Sequence, residues 1–138
     1  MQLNPHVNFN GNCEEAFKFY EKHLGGKIEV LMRYEGTPAM GMTPADWKNK
    51  VIHGRSAIGG TILMGADAPP GRYEAPKGTT ISLSVTSDAE ADRIFGALSE
   101  KGAVPMPIQE TFFASRFGML VDKFGIIWMV NFGYPKKD

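Results

Sequence analysis

Few side chains in this chain have the chemistry of a ligand, a base or a nucleophile: three histidines, one cysteine and a scatter of carboxylates. His6 and His53 lie in short segments of alternating polarity. An imidazole there can ligate a metal, shuttle a proton or simply hold a hydrogen bond. His53 is expected to line a cavity or to hold a hairpin. His23 falls near a helix end, where a cation complements the macrodipole, and is assigned no chemistry. Cys13 sits at a helix start, where a thiol pKa can fall. No histidine adjoins it in sequence, and a structural thiol is the expectation. Glu110 can act as a base or ligand from a loop, but a solvated carboxylate is the expected role. Arg116 offers a fork for a carboxylate or phosphate, or else a surface ion pair. Trp128 either packs the core or shows one face to a ligand.

The remaining composition excludes several classes. Neither a P-loop nor a G-x-G-x-x-G motif is present, so neither ATP nor a nicotinamide cofactor is implied. No glycine-rich methyl-donor loop is visible either, and no cofactor is expected. Net charge is +0 and the pI about 6.8, which argues against a nucleic-acid partner. No apolar run approaches the roughly 18 residues that span a bilayer, so no membrane partner is expected. The opening Met-Gln-Leu-Asn-Pro-His lacks signal-peptide features, and a cytoplasmic protein is expected. A single cysteine rules out an intrachain disulfide framework.

These residues are carried on a repeated run of elements. Residues 6–9 alternate as a half-buried strand. Asn12 is placed to cap a helix with Glu14 and Glu15 in its first turn. Ala16, Phe17, Phe19, Tyr20 and Leu24 give it an apolar face, and Gly25-Gly26 stops it. A strand follows over 28–34, then a loop over 35–50. Within the loop a helical turn is expected at 43–48, with Thr43 as cap and Pro44 at its first position. Residues 51–58 and 61–66 form a hairpin about Gly59-Gly60. Residues 67–77, with three prolines, read as a linker. A strand over 79–85 leads to a helix over 88–101, capped by Ser87 in a capping box with Glu90 and ended by Gly102. Ala91, Ile94, Phe95 and Leu98 are its core face. Strands over 104–109, 116–121 and 126–132 follow, the first irregular because of Pro105 and Pro107. A tight turn at 122–125 precedes the last.

Both halves therefore read β-α-β-β-β. Gly60 precedes Met64 by four residues, and Gly125 precedes Met129 by four. The expected fold class is α+β: two tandem βαβββ modules, 1–66 and 78–138, joined through 67–77 into one domain over 1–138. Paired, the modules would form a curved mixed sheet with a concave cavity, where small ligands bind.

The run Asn10-Gly11-Asn12-Cys13-Glu14-Glu15-Ala16-Phe17-Lys18-Phe19-Tyr20 with Leu24-Gly25-Gly26 resembles the opening of PhnB-like proteins. Three further segments agree: His53-Gly54-Arg55; Ile58-Gly59-Gly60 with Met64 and Asp67; and Arg116-Phe117-Gly118-Met119 through Asp122-Lys123-Phe124-Gly125 and Trp128. This is the glyoxalase/bleomycin-resistance/extradiol-dioxygenase, or vicinal oxygen chelate, superfamily. The resemblance implies paired βαβββ modules, a sheet cavity and a homodimer. It also implies, in the metal enzymes, four ligands on the first, fourth, fifth and eighth strands. Those positions fall on Asn4 or Pro5, Met64, near Thr80, and Met129. None suits Zn²⁺, Mn²⁺ or Fe²⁺, so no metal is expected. His6 lies one or two positions from the first and is the exception a bulge would bring inward.

Two functions follow as expectations. The first is a small-molecule binding protein without the standard metal site, using His6, Asn8, His53, Met64, Ser82, Ser84, Arg116, Trp128 and Met129. The alternative is a metal-dependent lyase, isomerase or dioxygenase with an altered ligand set around His6, His53 and Glu110. A purely structural dimer is the third possibility.

Overall fold

The structure is a computed structural model that describes residues 1–135. Its elements run β1 (His6–Phe9), α1 (Cys13–Leu24), β2 (Lys27–Arg33), β3 (Val51–Ile58) and β4 (Thr61–Asp67). Then follow β5 (Ile81–Ser84), α2 (Asp88–Ser99), β6 (Ala103–Gln109), β7 (Arg116–Val121) and β8 (Ile127–Phe132). The chain divides into two compact units, 1–75 and 76–138. Each holds one four-stranded sheet, ordered β1-β4-β3-β2 in the first and β5-β8-β7-β6 in the second. In both, the outer first strand runs parallel to the last and the rest pair antiparallel. The α+β class and the tandem βαβββ modules read from the sequence are what the structure contains.

In the first unit α1 covers one sheet face. Phe17 is fully buried there, and its ring lies over Gly54 and Gly65. A Cβ at Gly54 would fall 2.9 Å from that ring, and one at Gly65 3.0 Å. The two glycines are Cα partners on adjacent strands. A large side chain on the helix thus requires small residues under it on the sheet. Phe9 closes the cluster edge-on, 6.1 Å from Phe17 between centroids. Burying one such ring contributes about 1.5–3 kcal/mol.

The second unit repeats this packing. Phe95 of α2 lies over Gly118, whose Cβ would fall 2.6 Å from the ring. Trp128, Val130 and Leu120 fill the same layer, all nearly inaccessible. The glycines that follow the helices also correspond. A Cβ at Gly26 would fall 2.7 Å from the Ala57 carbonyl, and one at Gly102 would meet the Val121 carbonyl. Gly102 is therefore needed for close approach rather than for a left-handed cap. The left-handed residue after α2 is Lys101, at φ 58°.

Two buried carboxylates lock the strand ends. Asp67 is 1% exposed and ends β4 instead of opening a linker. Its Oδ1 accepts the Cys13 amide at 2.9 Å and its Oδ2 the Val51 amide at 2.8 Å. Its backbone carbonyl accepts the Tyr34 hydroxyl at 2.7 Å. The cap expected of Asn12 is not made: its side chain gives no cap hydrogen bond, and Asp67 satisfies the first helical amide from across the sheet. Asp122 plays a corresponding part locally. It accepts the amides of Phe124 and Ile126 at 2.9 and 3.0 Å and the Trp128 indole at 2.8 Å. Ser87 caps α2 as expected, accepting the Glu90 amide at 3.0 Å.

The 35–50 connection differs from the expected single turn. It holds two 3₁₀ turns, Pro38–Met42 and Ala45–Trp47, with Pro44 rather than Thr43 capping the second. Thr43 instead ends the first turn and returns its hydroxyl to the Met40 carbonyl.

Candidate functional site

With a helix on one face of each sheet, the chemistry available to a ligand lies on the other face. Strand register decides which residues reach it, because side chains alternate. In the first unit His6 is the Cα partner of Met64, and Met64 of Arg55. Asn8 partners Ala66, and Met32 partners His53. Leu63, Gly65, Gly54 and Ser56 occupy the alternate, buried positions toward α1. His6, Asn8, His53, Met64 and Arg55 therefore share the face turned away from the helix.

This face carries titratable groups. Partial desolvation, and next the nearby His53, hold the His6 imidazole below its ordinary value of 6.5, against the pull of a hydrogen bond within its own backbone. The ring is therefore mostly neutral at pH 7, free to accept a proton or a hydrogen bond. Arg55 is paired with Glu29, Nε to Oε1 at 3.2 Å.

In the second unit Ser82 is the partner of Met129 and Ser84 of Asn131. Met129 partners Met119, and Asn131 partners Phe117. These six share the helix-free face. Asn131 is held there by two hydroxyls: its Oδ1 accepts Ser84 Oγ at 3.2 Å, and its Nδ2 donates to Ser82 Oγ at 2.9 Å.

Register selects between the alternatives for two residues. Trp128 and Met129 are neighbours on a regular strand and cannot face the same way. Trp128 is 1% exposed, points toward α2 and gives its indole N–H to Asp122. Arg116, two residues before Gly118 on β7, also lies on the helix side. Its guanidinium binds Asp92 at 3.2 Å and Asp88 at 3.8 Å, both on α2. Both residues build the second unit's helix face. Sequence reasoning missed Arg55, Phe117, Met119 and Asn131. Asn131 was recoverable, since it lies two residues beyond Met129 on the same strand.

The other candidates resolve simply. Cys13 is fully buried, and burial, with Asp67 next, pushes its thiol far up, so it is no nucleophile at neutral pH. Glu110 follows β6 and is exposed. A cleft of about 300 Å³ beside the start of α1 is lined by Gly11, Asn12, Glu14, Glu15 and Lys50. Two of its charges are spent within the protein: Lys50 on the Gly11 carbonyl at 2.7 Å, and Glu14 on Arg33 through two bonds at 3.0 and 2.9 Å. Arg33 holds the Glu14 carboxyl down at about 2.

The register sets His6 beside Met64 and Ser82 beside Met129. The donors are thus one imidazole, two thioethers and a hydroxyl. A hard or borderline divalent ion wants imidazole and carboxylate at such positions, and this set does not fit it. Among the described residues no group of three or more His, Cys, Asp or Glu is arranged to hold a metal. No helix of the described residues is long and apolar enough to cross a membrane.

Comparison with known proteins gives one family. The family model described as 3-demethylubiquinone-9 3-methyltransferase matches residues 1–131. Protein YjdN of Escherichia coli (strain K12) is 31% identical, over 95% of both chains. Among solved structures, protein PA1353 from Pseudomonas aeruginosa is 48% identical with a TM-score of 0.87, covering 96% of this chain and 97% of that one. The PhnB protein from Bacillus cereus, 24% identical, has a TM-score of 0.82 over 96% and 100% of the two chains. At 16% identity, a glyoxylase/bleomycin resistance protein/dioxygenase domain from Frankia shares the fold, with a TM-score of 0.65 over 96% and 94%.

Proposed function

The chain belongs to the family of 3-demethylubiquinone-9 3-methyltransferase-like, PhnB-like proteins in the vicinal oxygen chelate superfamily, and from that premise we propose that it binds a small molecule on its helix-free sheet faces without the standard metal site. One observation carries the reading. Beside Met64 and Met129, which the resemblance sets at ligand positions of the metal enzymes, the register places His6 and Ser82. Around them the faces present hydrogen-bonding and soft apolar groups, the composition of a binding surface. The reading is binding rather than the methyl transfer in the family's description, since the sequence carries no glycine-rich loop of the kind that cradles a methyl donor.

The test is metal content set against ligand binding. Purified protein, incubated with Zn²⁺, Mn²⁺, Ni²⁺ or Fe²⁺ and desalted, is expected to retain less than about 0.1 equivalent of any of them. Stoichiometric retention that is lost in His6→Ala would overturn the metal-free reading. It would favour the alternative, a metal-dependent lyase, isomerase or dioxygenase with an altered ligand set. That alternative draws on one observation, the sharing of one face by His6 and His53. The superfamily resemblance further supports a homodimer in solution; a monomer mass by light scattering at micromolar concentration would overturn that.

A further inference from the structure

The helix-free face of the second sheet is uncharged. Across β6, β7, β8 and β5 one row of register partners reads Gln109, Phe117, Asn131, Ser84. The row beside it reads Met106, Met119, Met129, Ser82. None of these described residues is acidic or basic. The first unit's face, by contrast, carries His6, His53 and the Arg55–Glu29 pair.

Three features of the second face point to one kind of occupant. An aromatic corner stands at one end, where Phe113 meets Phe117 with centroids 4.9 Å apart and planes at 70°. Phe113 is 46% exposed, so the corner is open. Its position is fixed by the 111–114 turn, where Thr111 Oγ1 accepts the Ala114 amide at 3.2 Å and the Thr111 amide reaches the Ala114 carbonyl at 3.0 Å. Two rings near right angles offer one face to stack on and one edge to meet. Beside Phe117 in register, Asn131 is clamped by both serines and keeps its second N–H and a carbonyl lone pair unspent by those two bonds. The methionine row supplies flexible, polarisable thioethers that pack well against aromatic rings.

A charged ligand would lose its hydration here with no counter-charge on the face to offset the cost. A saturated ring would forgo the aromatic corner. We propose that this face takes an uncharged, planar aromatic molecule bearing an amide- or hydroxyl-type edge, its ring in the Phe113–Phe117 corner and its polar edge on Asn131. The inference rests on the small-molecule reading above and names the ligand class for that surface.

Benzamide tests it, against cyclohexanecarboxamide, which has the same polar edge without aromaticity, and benzoate, which has the ring with a charge. Titrations are followed by amide chemical shifts at pH 7.5 on the full chain. Benzamide is expected to shift resonances of β7 and β8 around Phe117 and Asn131. Cyclohexanecarboxamide and benzoate are expected to bind there at least fivefold more weakly. Phe117→Leu and Asn131→Ala should each weaken benzamide at least fivefold; Phe113→Leu provides a second aromatic variant should Phe117→Leu fail to fold. Equal binding of the three probes, or benzamide binding unchanged in the variants, overturns the proposal. A panel of uncharged aliphatic amides and alcohols separates the two levels. If those shift residues around His6 and Met64 while benzamide shifts nothing, the aromatic class fails and the small-molecule reading stands. If no compound shifts either face, both fail.

Discussion

Asp67→Asn isolates the largest single polar commitment in the first unit. The carboxylate is 1% exposed and spends each oxygen on a different amide, Cys13 at 2.9 Å and Val51 at 2.8 Å. A carboxamide fits the same space but has only one oxygen. Whichever way it turns, its NH₂ faces an amide N–H, so one charge-assisted hydrogen bond is lost and a buried donor is left unmet. Hydrogen bonds to charged groups contribute about 1.5–3 kcal/mol, and an unsatisfied buried donor costs about 1–3 kcal/mol. The two descriptions overlap, so the expected destabilisation is about 3 kcal/mol rather than their sum. With a urea m-value of about 1.5 kcal/mol/M, the midpoint falls by about 2 M. The melting temperature should drop by about 10 °C, at about 3 °C per kcal/mol for a chain of this size. The assay is urea unfolding at pH 7 by far-UV circular dichroism, with exposed Asp46→Asn as a charge-matched control expected within about 0.5 kcal/mol of the parent. The same pair of amides joins the start of α1 to the start of β3, so amide exchange at Cys13 and Val51 should quicken first. A loss below about 0.5 kcal/mol for Asp67→Asn, or one equal to that of Asp46→Asn, would refute the claim that this carboxylate stands in for the missing cap.

Gly118→Ala should cost about 1–3 kcal/mol by overpacking, because the new methyl meets the Phe95 ring at 2.6 Å and the Ile108 backbone at 2.9 Å; Gly118→Ala paired with Phe95→Leu should recover part of that loss in thermal denaturation, and no recovery would place the clash elsewhere. For His6 the folded pKa lies below the unfolded one, so its contribution to stability is present above about pH 6.5 and is lost as pH falls through the folded value; an NMR titration should find its imidazole midpoint below that of His6 in the urea-unfolded chain, and a higher midpoint would contradict the packing on the sheet face. Glu14 is likewise held low, at about 2 by Arg33, so its contribution is present above the unfolded value of about 4.5 and is lost as pH falls through about 2; because the side chain is 35% exposed, Arg33→Gln should cost only about 1 kcal/mol at pH 7, and that difference from the parent should shrink steadily as pH is lowered from 4.5 through about 2.

Sequence reasoning reached the elements because each rests on a local signal. Ser87 and Glu90, Gly59-Gly60 and the prolines of β6 act within a few residues, and the structure places caps, hairpin and irregular strand there. What it missed is non-local. Asn12 has the right chemistry for a cap and the right position, yet the donor it would serve is taken by Asp67, 54 residues away. No window along the chain reveals that. Gly54, Gly65 and Gly118 are small because a helix phenylalanine lies over them, a contact that exists only once sheet and helix are docked. The site residues pose a different problem. The types of Trp128 and Arg116 admit either of two roles, core or ligand face for one, anion clamp or ion pair for the other, and strand phase decides between them. A one-residue difference in phase separates Trp128, sealed against Asp122, from Met129 on the opposite face.

The same register makes the internal repeat a comparison between two surfaces. Gly54 and Gly118 lie beneath helix phenylalanines, and Gly26 and Gly102 approach the carbonyls of Ala57 and Val121. Each of those carbonyl residues lies three positions after its strand glycine, so the two modules align without a gap here. On that alignment Met64 matches Met129, each the partner of the residue after the strand glycine. His6 then matches Ser82, Asn8 matches Ser84, Arg55 matches Met119 and Ala66 matches Asn131. On the helix side Gly54 and Gly118 repeat because a phenylalanine ring leaves no room for more, while Gly65, Ser56 and Leu63 match Val130, Leu120 and Trp128. The helix-free positions are under no such constraint: both faces carry a carboxamide and a thioether, but the first adds imidazole and guanidinium where the second adds hydroxyls. Packing explains the repeated half of the pattern and says nothing about the other. A difference in charged groups on the face that packing leaves unspecified is what two surfaces with different recognition tasks would carry. It is also why charged and uncharged probes, each tested against both faces, are the experiment on which the functional reading turns.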